Sequence, residues 1–232
     1  MSPLTLLVVA KAPVPGTVKT RLAADLVAAS TGDAGRTADW AAQVAAEVAA
    51  AALLDTIQAC TSAVGAVSCR LALAGELAGA VRAAELRAAL VGWRMVPQCD
   101  GDLGRRLAHA HAGVAGPVLQ IGMDTPQVTG ALLRRAAAGL DDFDAVLGPA
   151  TDGGWWTLGL REGRHAAVLE GVEMSTPHTG HDTRRALEAA GLSVGLAEPI
   201  TDIDRLADLA AVAAAVPGSR CAAVARTMEV LR

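Results

Sequence analysis

The sequence is poor in the features that mark several common protein classes. Its four cysteines, Cys60, Cys69, Cys99 and Cys221, form no CxxC pair and show no zinc spacing, so free, mostly buried thiols in a reducing cytoplasm are expected. Positive charge is not in excess. The formal net charge is −4 over 232 residues, and basic residues outside the opening loop are scattered, which leaves no nucleic-acid footprint. The longest apolar-looking stretch, Trp40 to Leu54, is mostly alanine and is interrupted by Gln43 and Glu47, too short and too polar to span a bilayer. The opening MSPLTLL lacks the basic region and cleavage site of a signal peptide. GxxxxGK(S/T), GxGxxG after the first strand and GxSxG are all missing, which argues against a P-loop, a dinucleotide fold and a nucleophile elbow.

What is present is alternation. Apolar runs at 4–10, 69–74, 93–97, 117–123 and 144–149 read as strands, with a later strand at 155–160 that could be the antiparallel member of a mixed sheet. Helical spacing is expected near 37–59, 76–90, 102–112, 127–139, 180–190 and 204–216. In the first of these, Trp40, Val44, Val48 and Leu54 fall on one face, with Gln43, Glu47 and Asp55 outside it. Such alternation predicts an α/β fold: a mainly parallel, mixed sheet with helices on both faces, formed by residues 1–232 as one domain.

Chemistry in such a fold gathers where strands end. The segment Leu4 to Arg21 is a buried strand feeding a loop with Pro13, Pro15 and Gly16, and it carries Lys11, Lys19 and Arg21. Three cations there suit a phosphate-rich ligand. The strand before Asp124 ends in Gly122-Met123-Asp124-Thr125-Pro126, so Asp124 leaves the sheet on the side of the cations. It either caps the next helix or serves a magnesium ion, which takes one or two carboxylates together with phosphate oxygens. Asp152-Gly153-Gly154 after the 144–149 strand is either a hairpin turn or a second wall of the same cleft, and one of Trp155 and Trp156 belongs in the core. Arg105 and Arg106 follow Gly101-Asp102 into the first turn of a helix, and Asp202 and Asp204 either cap a helix or add a metal ligand. His178 and His181 form an HxxH pair that lacks two further zinc ligands, and nothing is assigned to His109 or His111.

KAPVPGTVKTRL, GDLGRRL, GMDTP, GPATDGGWW, MSTPHTGHDT and TDIDRLADL, in this order, resemble the DUF2064 family over about residues 4 to 212. That family is similar to the GT-A glycosyltransferases and to the MobA- and CofC-like nucleotidyltransferases. The resemblance implies a single-domain GT-A, nucleotide-diphospho-sugar-transferase fold. It implies nucleotide contacts from Ala10, Lys11, Gly16, Thr17, Lys19 and Arg21, with Gln98, Gly101 and Asp102 facing the base or ribose. It also implies a metal, Mg²⁺ or Mn²⁺, at Asp124 and Asp202, and acceptor contacts from Asp152, Gly153, Gly154, Trp155, Thr176 and Thr183. Lys19, Arg21, Asp124 and Asp152 are the expected catalytic set. GMDTPQV in place of GSDSPDL, Trp155-Trp156 in place of a Tyr-Tyr pair and DIDRLADL without its Thr-Pro are the departures.

Two reactions fit. An anionic acceptor can attack the α-phosphorus of an NTP and expel pyrophosphate, or an acceptor can attack the anomeric carbon of an NDP-sugar and expel NDP. Three cations look like an excess for a diphosphate, which favours nucleotidyl transfer to a small anionic acceptor. Glycosyl transfer needs a carboxylate base, and Asp152 is its candidate. A non-catalytic nucleotide-binding module is the third reading, set against the presence of both Asp124 and Asp202. The expected partners are thus a nucleotide and a small acceptor, with no nucleic acid and no membrane, in a compact enzyme of a size at which homodimers are common.

Overall fold

A computed structural model of the chain describes residues 3–30 and 37–230. The elements run in the order β1 (Thr5–Lys11), α1 (Thr20–Ala29), α2 (Ala38–Val64), β2 (Cys69–Ala74), α3 (Ala83–Ala89), β3 (Arg94–Pro97), α4 (Leu103–Ala112), β4 (Val118–Ile121), α5 (Gly130–Ala138), β5 (Ala145–Pro149), β6 (Trp155–Leu160), α6 (Thr179–Ala189), β7 (Val194–Leu196), α7 (Leu206–Ala215) and α8 (Arg220–Val230). A 3-10 stretch, Gly163–Gly171, lies between β6 and α6.

Seven strands form one sheet in the order β3-β2-β1-β4-β6-β5-β7. All neighbours are parallel except β6, which runs antiparallel to both β4 and β5, as the mixed-sheet reading anticipates. The chain builds outwards from β1 through β2 to β3, then returns across α4 to place β4 on the other flank of β1. The strand order therefore reverses between β1 and β4, and a crevice opens at their carboxyl ends, where α/β proteins hold ligands.

Apolar side chains on one face of the sheet (Leu6, Val8, Leu119, Ile121) pack under α2, α3 and α5, and those on the other (Leu7, Val118, Leu158, Leu160) pack under α4, the 3-10 stretch and α6. A third layer, α1 with α7 and α8, covers the outer side of α2 through Leu22, Leu26, Leu209 and Cys221. This sandwiching corrects two expectations. Helix α2 runs to Val64, long and apolar enough by composition to cross a membrane, yet 72% of its apolar window is buried within the fold. Its apolar residues also form two faces: Val48 meets the third layer and Leu54 meets the sheet. A helix covered on both sides has no need of a single stripe. Its outlying carboxylates find partners instead, Glu47 with Arg82 at 2.8 Å and Asp55 with Arg220 at 2.9 Å.

The sequence reading also places Arg21 in a loop and omits α1, α8 and β7. Helix α1 begins at Thr20, with Lys19 as its N-cap residue and Arg21 in its first turn. The prolines hold only residues 12–18 out of helix. The four cysteines are free, and all but Cys99 are buried. Burial holds the Cys69 and Cys221 thiols up at about 12, so they stay protonated.

Candidate functional site

Asp124 follows β4, and its side chain turns towards the opening loop instead of the next helix. Lys19 Nζ donates to Asp124 Oδ2 at 2.8 Å, and α5 is capped by Thr129, whose hydroxyl accepts from Leu132 N. The capping reading of Asp124 thus falls away. Lys19 reaches the carboxylate from a left-handed backbone conformation, φ 48°, uncommon for a residue with a side chain and concentrated at functional sites.

The second carboxylate arrives from far along the chain. After β7, residues 197–205 run as a strap across the ends of β5 and β4. Ile200 N donates to Pro149 O, Thr151 N to Ile200 O, and Ile203 N to Asp124 O, each within 3.2 Å, while Trp156 Nε1 donates to Glu198 O. Lys19 Nζ also donates to the Ile203 carbonyl, which ties the strap to the opening loop. This lacing brings Asp202 beside Asp124. Partial burial, then the charges of Asp124 and Asp152, push the Asp202 carboxyl up from its ordinary 3.8 to about 6. Asp204 pairs with Arg21 at 2.7 Å, and the α7 N-terminus is served by Asp208, whose carboxylate accepts from Asp204 N and Arg205 N. Neither Asp202 nor Asp204 caps that helix.

Asp152 completes the group from the β5–β6 turn. Its Oδ1 accepts from Gly154 N at 2.8 Å, so the hairpin-turn and cleft-wall readings both hold. The two glycines serve a close approach of backbone to backbone. A Cβ on Gly153, at φ +90°, would lie 2.0 Å from Pro177 O, and one on Gly180 would lie 2.6 Å from Gly154 O. The turn therefore docks directly on the segment leading into α6. Ser175 in that segment also lies in the left-handed region, φ 63°.

A cavity of about 290 Å³ opens between these parts. Its lining includes the neighbouring carboxylates Asp124, Asp152 and Asp202, the apolar Leu103, Leu107 and Met174, and Trp155, Thr176, Thr179 and Gln120. Among the described residues no Lys or Arg lines it, although Lys19 Nζ reaches Asp124 from the opening loop. Trp156 is the core tryptophan, 3% exposed, while Trp155 is held in the wall by donating from Nε1 to Thr183 Oγ1 at 3.1 Å. Thr183 is fully buried and positions Trp155 from outside the cavity lining.

The expected base-facing residues are bound into the scaffold. Gln98 Nε2 donates to Ala10 O and Ala72 O, bridging the ends of β1 and β2, and its Oε1 accepts from Arg106. Asp102 caps α4 by accepting from Arg105 N. Gly101 takes φ 121° in the turn before it. Among the loop cations, Lys19 and Arg21 are already in ion pairs, and Lys11, exposed at the end of β1, makes none among the described residues. Ala10, Gly16 and Thr17 lie in the same loop and its approach, Thr17 closing a turn by donating from N and Oγ1 to Val14 O.

The pattern of the DUF2064 family, described as "Uncharacterized protein conserved in bacteria", matches residues 56–176, more than half of the chain. The chain belongs to the DUF2064 family. Solved structures share its fold. A "putative nucleotide-diphospho-sugar transferase" from Desulfovibrio desulfuricans matches with a TM-score of 0.80 and 24% identity, covering 100% of this chain and 97% of that one. A 4-diphosphocytidyl-2C-methyl-D-erythritol synthase from Anaerococcus prevotii matches at 0.56 and 9%, covering 93% and 99%. A CMP:2-keto-3-deoxy-manno-octonic acid synthetase in complex with CTP matches at 0.53 and 13%, with the same coverage. No curated protein matches the sequence. At these identities the likeness is one of fold, and this DUF2064 chain's chemistry has to be read from its own cleft.

Asp124 and Asp202 are the side chains fitted to hold a divalent cation. Both are hard oxygen donors, and after burial it is the neighbouring negative charge of Asp124 and Asp152 that raises Asp202, a charge that a cation would relieve. Among the described residues no three Asp, Glu, His or Cys side chains gather into a full ligand set. Two carboxylates suit a hard ion that completes its shell with water and phosphate oxygens. His181 is occupied with Asp182 at 3.1 Å, which leaves the HxxH pair outside any such set.

Proposed function

We propose that this DUF2064 chain, acting as one nucleotide-binding domain, is a nucleotide-dependent transferase that moves a glycosyl group from an NDP-sugar to a hydroxyl acceptor. Donor phosphates would lie over the Lys11–Arg21 loop, with the cation between them and Asp124 and Asp202. The acceptor would enter the 290 Å³ cavity. The observation that carries this reading is the cavity's lining of three carboxylates with no Lys or Arg among the described residues. With Lys19 or the cation offsetting Asp124 and Asp202, the Asp152 carboxylate is left to disfavour an anionic acceptor and to take the proton of a neutral hydroxyl. The bound Mg²⁺ or Mn²⁺ would supply charge stabilisation for the departing diphosphate. Lys19, freed from Asp124 when a cation takes that carboxylate, would add a donor to the same phosphate oxygens. The cation count weighs less than the sequence suggests, because two of the three loop cations are already paired.

Nucleotidyl transfer is the second reading. Lys11, Lys19 and Arg21 within one loop favour it, since both ion pairs can reopen towards a triphosphate. The two readings part on the product. Incubation with UDP-glucose, GDP-mannose or each NTP, with magnesium and a mixture of sugars and phosphorylated sugars, should release NDP. Pyrophosphate release would select nucleotidyl transfer, and neither product, with no nucleotide bound, would overturn the transferase reading altogether.

A further inference from the structure

One polar pair beneath the cavity has no structural use that accounts for it. Strand β4 reads Val118-Leu119-Gln120-Ile121, and its three apolar members are fully buried. Gln120, 3% exposed, faces α4 from the same strand. There its Oε1 meets His111 Nε2 at 2.7 Å, and His111 is itself fully buried in the last turn of α4. Burial pushes the imidazole down to about 4, so the ring is neutral at ordinary pH and carries one proton. His111 Nδ1 is buried without a partner. A bare acceptor there is less costly than an orphaned N–H, so the proton belongs on Nε2 and is donated to Gln120.

That bond fixes which way the glutamine amide faces. With Oε1 held by His111, Nε2 is turned away from the helix. It has no hydrogen-bond partner among the described residues, and Gln120 lines the cavity. The cavity lining thus combines an amide side chain whose N–H groups are free to donate, three carboxylates that accept, and the apolar Leu103, Leu107 and Met174. A neutral polyol matches this set, since each hydroxyl both donates and accepts.

We propose that Gln120 selects the acceptor by donating an amide N–H to an oxygen of a neutral, polyhydroxylated molecule of about monosaccharide size, and that His111 is the positioning residue that aims it. The inference rests on the reading of this cavity as the acceptor site. Its size, about 290 Å³, is at the small end of ligand pockets.

The test is saturation-transfer NMR with glucose, myo-inositol and glycerol against glucose 6-phosphate, with and without UDP or GDP and magnesium. At least one neutral probe should bind the wild-type chain, and glucose 6-phosphate should bind at least about tenfold more weakly. Gln120→Leu should lose the neutral probe. Gln120→Glu keeps the bond from His111 but offers the cavity no N–H, and should weaken binding about tenfold. If Gln120→Leu does not fold, the Glu variant carries the test. His111→Leu should weaken binding about fivefold, and His111→Gln, whose amide N–H can again donate to Gln120, should recover it, which a purely space-filling role would not do. The inference is overturned if no neutral probe binds under any of these conditions, if glucose 6-phosphate binds as well as glucose, or if both Gln120 variants bind like the wild type. Nucleotide titrations on the same samples separate the two levels. Unchanged polyol binding in the variants, with nucleotide binding intact, removes Gln120 alone. Absence of nucleotide binding in the wild type removes the transferase reading and leaves the polyol result readable.

Discussion

The two halves of the cleft are built differently. On the β1–β3 side, the polar residues either stand in solvent, as Lys11 does, or bind the scaffold, as Gln98 and Asp102 do. On the β4–β6 side, side chains from four separate segments converge on one cavity, held there by the 197–205 strap and by backbone-to-backbone contact at Gly153 and Gly180. One side is open to solvent, whereas the other is laced together by backbone contacts. Asp124 and Lys19 are the seam between them. Mutations on the preformed side should therefore affect stability as well as activity, and those of solvent-facing residues on the open side, such as Lys11, should affect nucleotide binding alone.

The largest effect is expected at the seam. Asp124→Ala should abolish turnover, by at least about a hundredfold, with the circular-dichroism spectrum unchanged. Full magnesium-dependent activity in that variant would remove Asp124 from the mechanism. Next, Gly153→Ala forces a Cβ against Pro177 O in a backbone conformation that alanine resists. Destabilisation by about 2–3 kcal/mol is expected in urea denaturation, and a neutral result would show that the wall is not preformed. On the open side, Lys11→Ala should weaken nucleotide affinity about tenfold and leave the melting temperature where it was. A large drop in stability there would erase the contrast.

The smallest effect concerns pH. Asp202 holds its proton to about pH 6 in the folded chain, whereas the unfolded chain releases it near 3.8. Without a divalent cation, stability should fall as pH rises from about 4 to 6 and level off above. The loss should be about 1 kcal/mol, well under the full linkage value because the carboxyl is partly exposed. Denaturation in EDTA across that range should show this slope, Asp202→Asn should flatten it, and magnesium should reverse it.

Much of this was legible in the sequence, for a definite reason. Buried strands such as Leu6–Ala10 and Val146–Gly148 are uninterrupted apolar runs, and Asp124 follows one of them directly, so its place at the sheet edge needs only local reading. β7 escapes because three residues carry too little pattern, and α1 because it buries only Leu22 and Leu26, a single i, i+4 pair directly after a proline-rich loop. Asp202 beside Asp124 depends on a strap across 78 positions of chain, which no local pattern encodes. Gln98 shows the opposite case. A glutamine at a strand end has the same sequence signature whether it touches a base or bridges Ala10 and Ala72. The one available signal for Gln120 was a lone polar residue inside the buried run Val118–Ile121.

The central claim is that a cation on Asp124 and Asp202 joins a nucleotide on the open side to a preformed acceptor cavity. Calorimetric titration of UDP-glucose, GDP-mannose and the four NTPs, with and without magnesium, tests it most directly in the wild type and in Asp124→Asn. The account predicts magnesium-dependent binding of a sugar nucleotide that is lost in the variant. Binding that ignores both magnesium and Asp124, or no nucleotide binding at all, would contradict it.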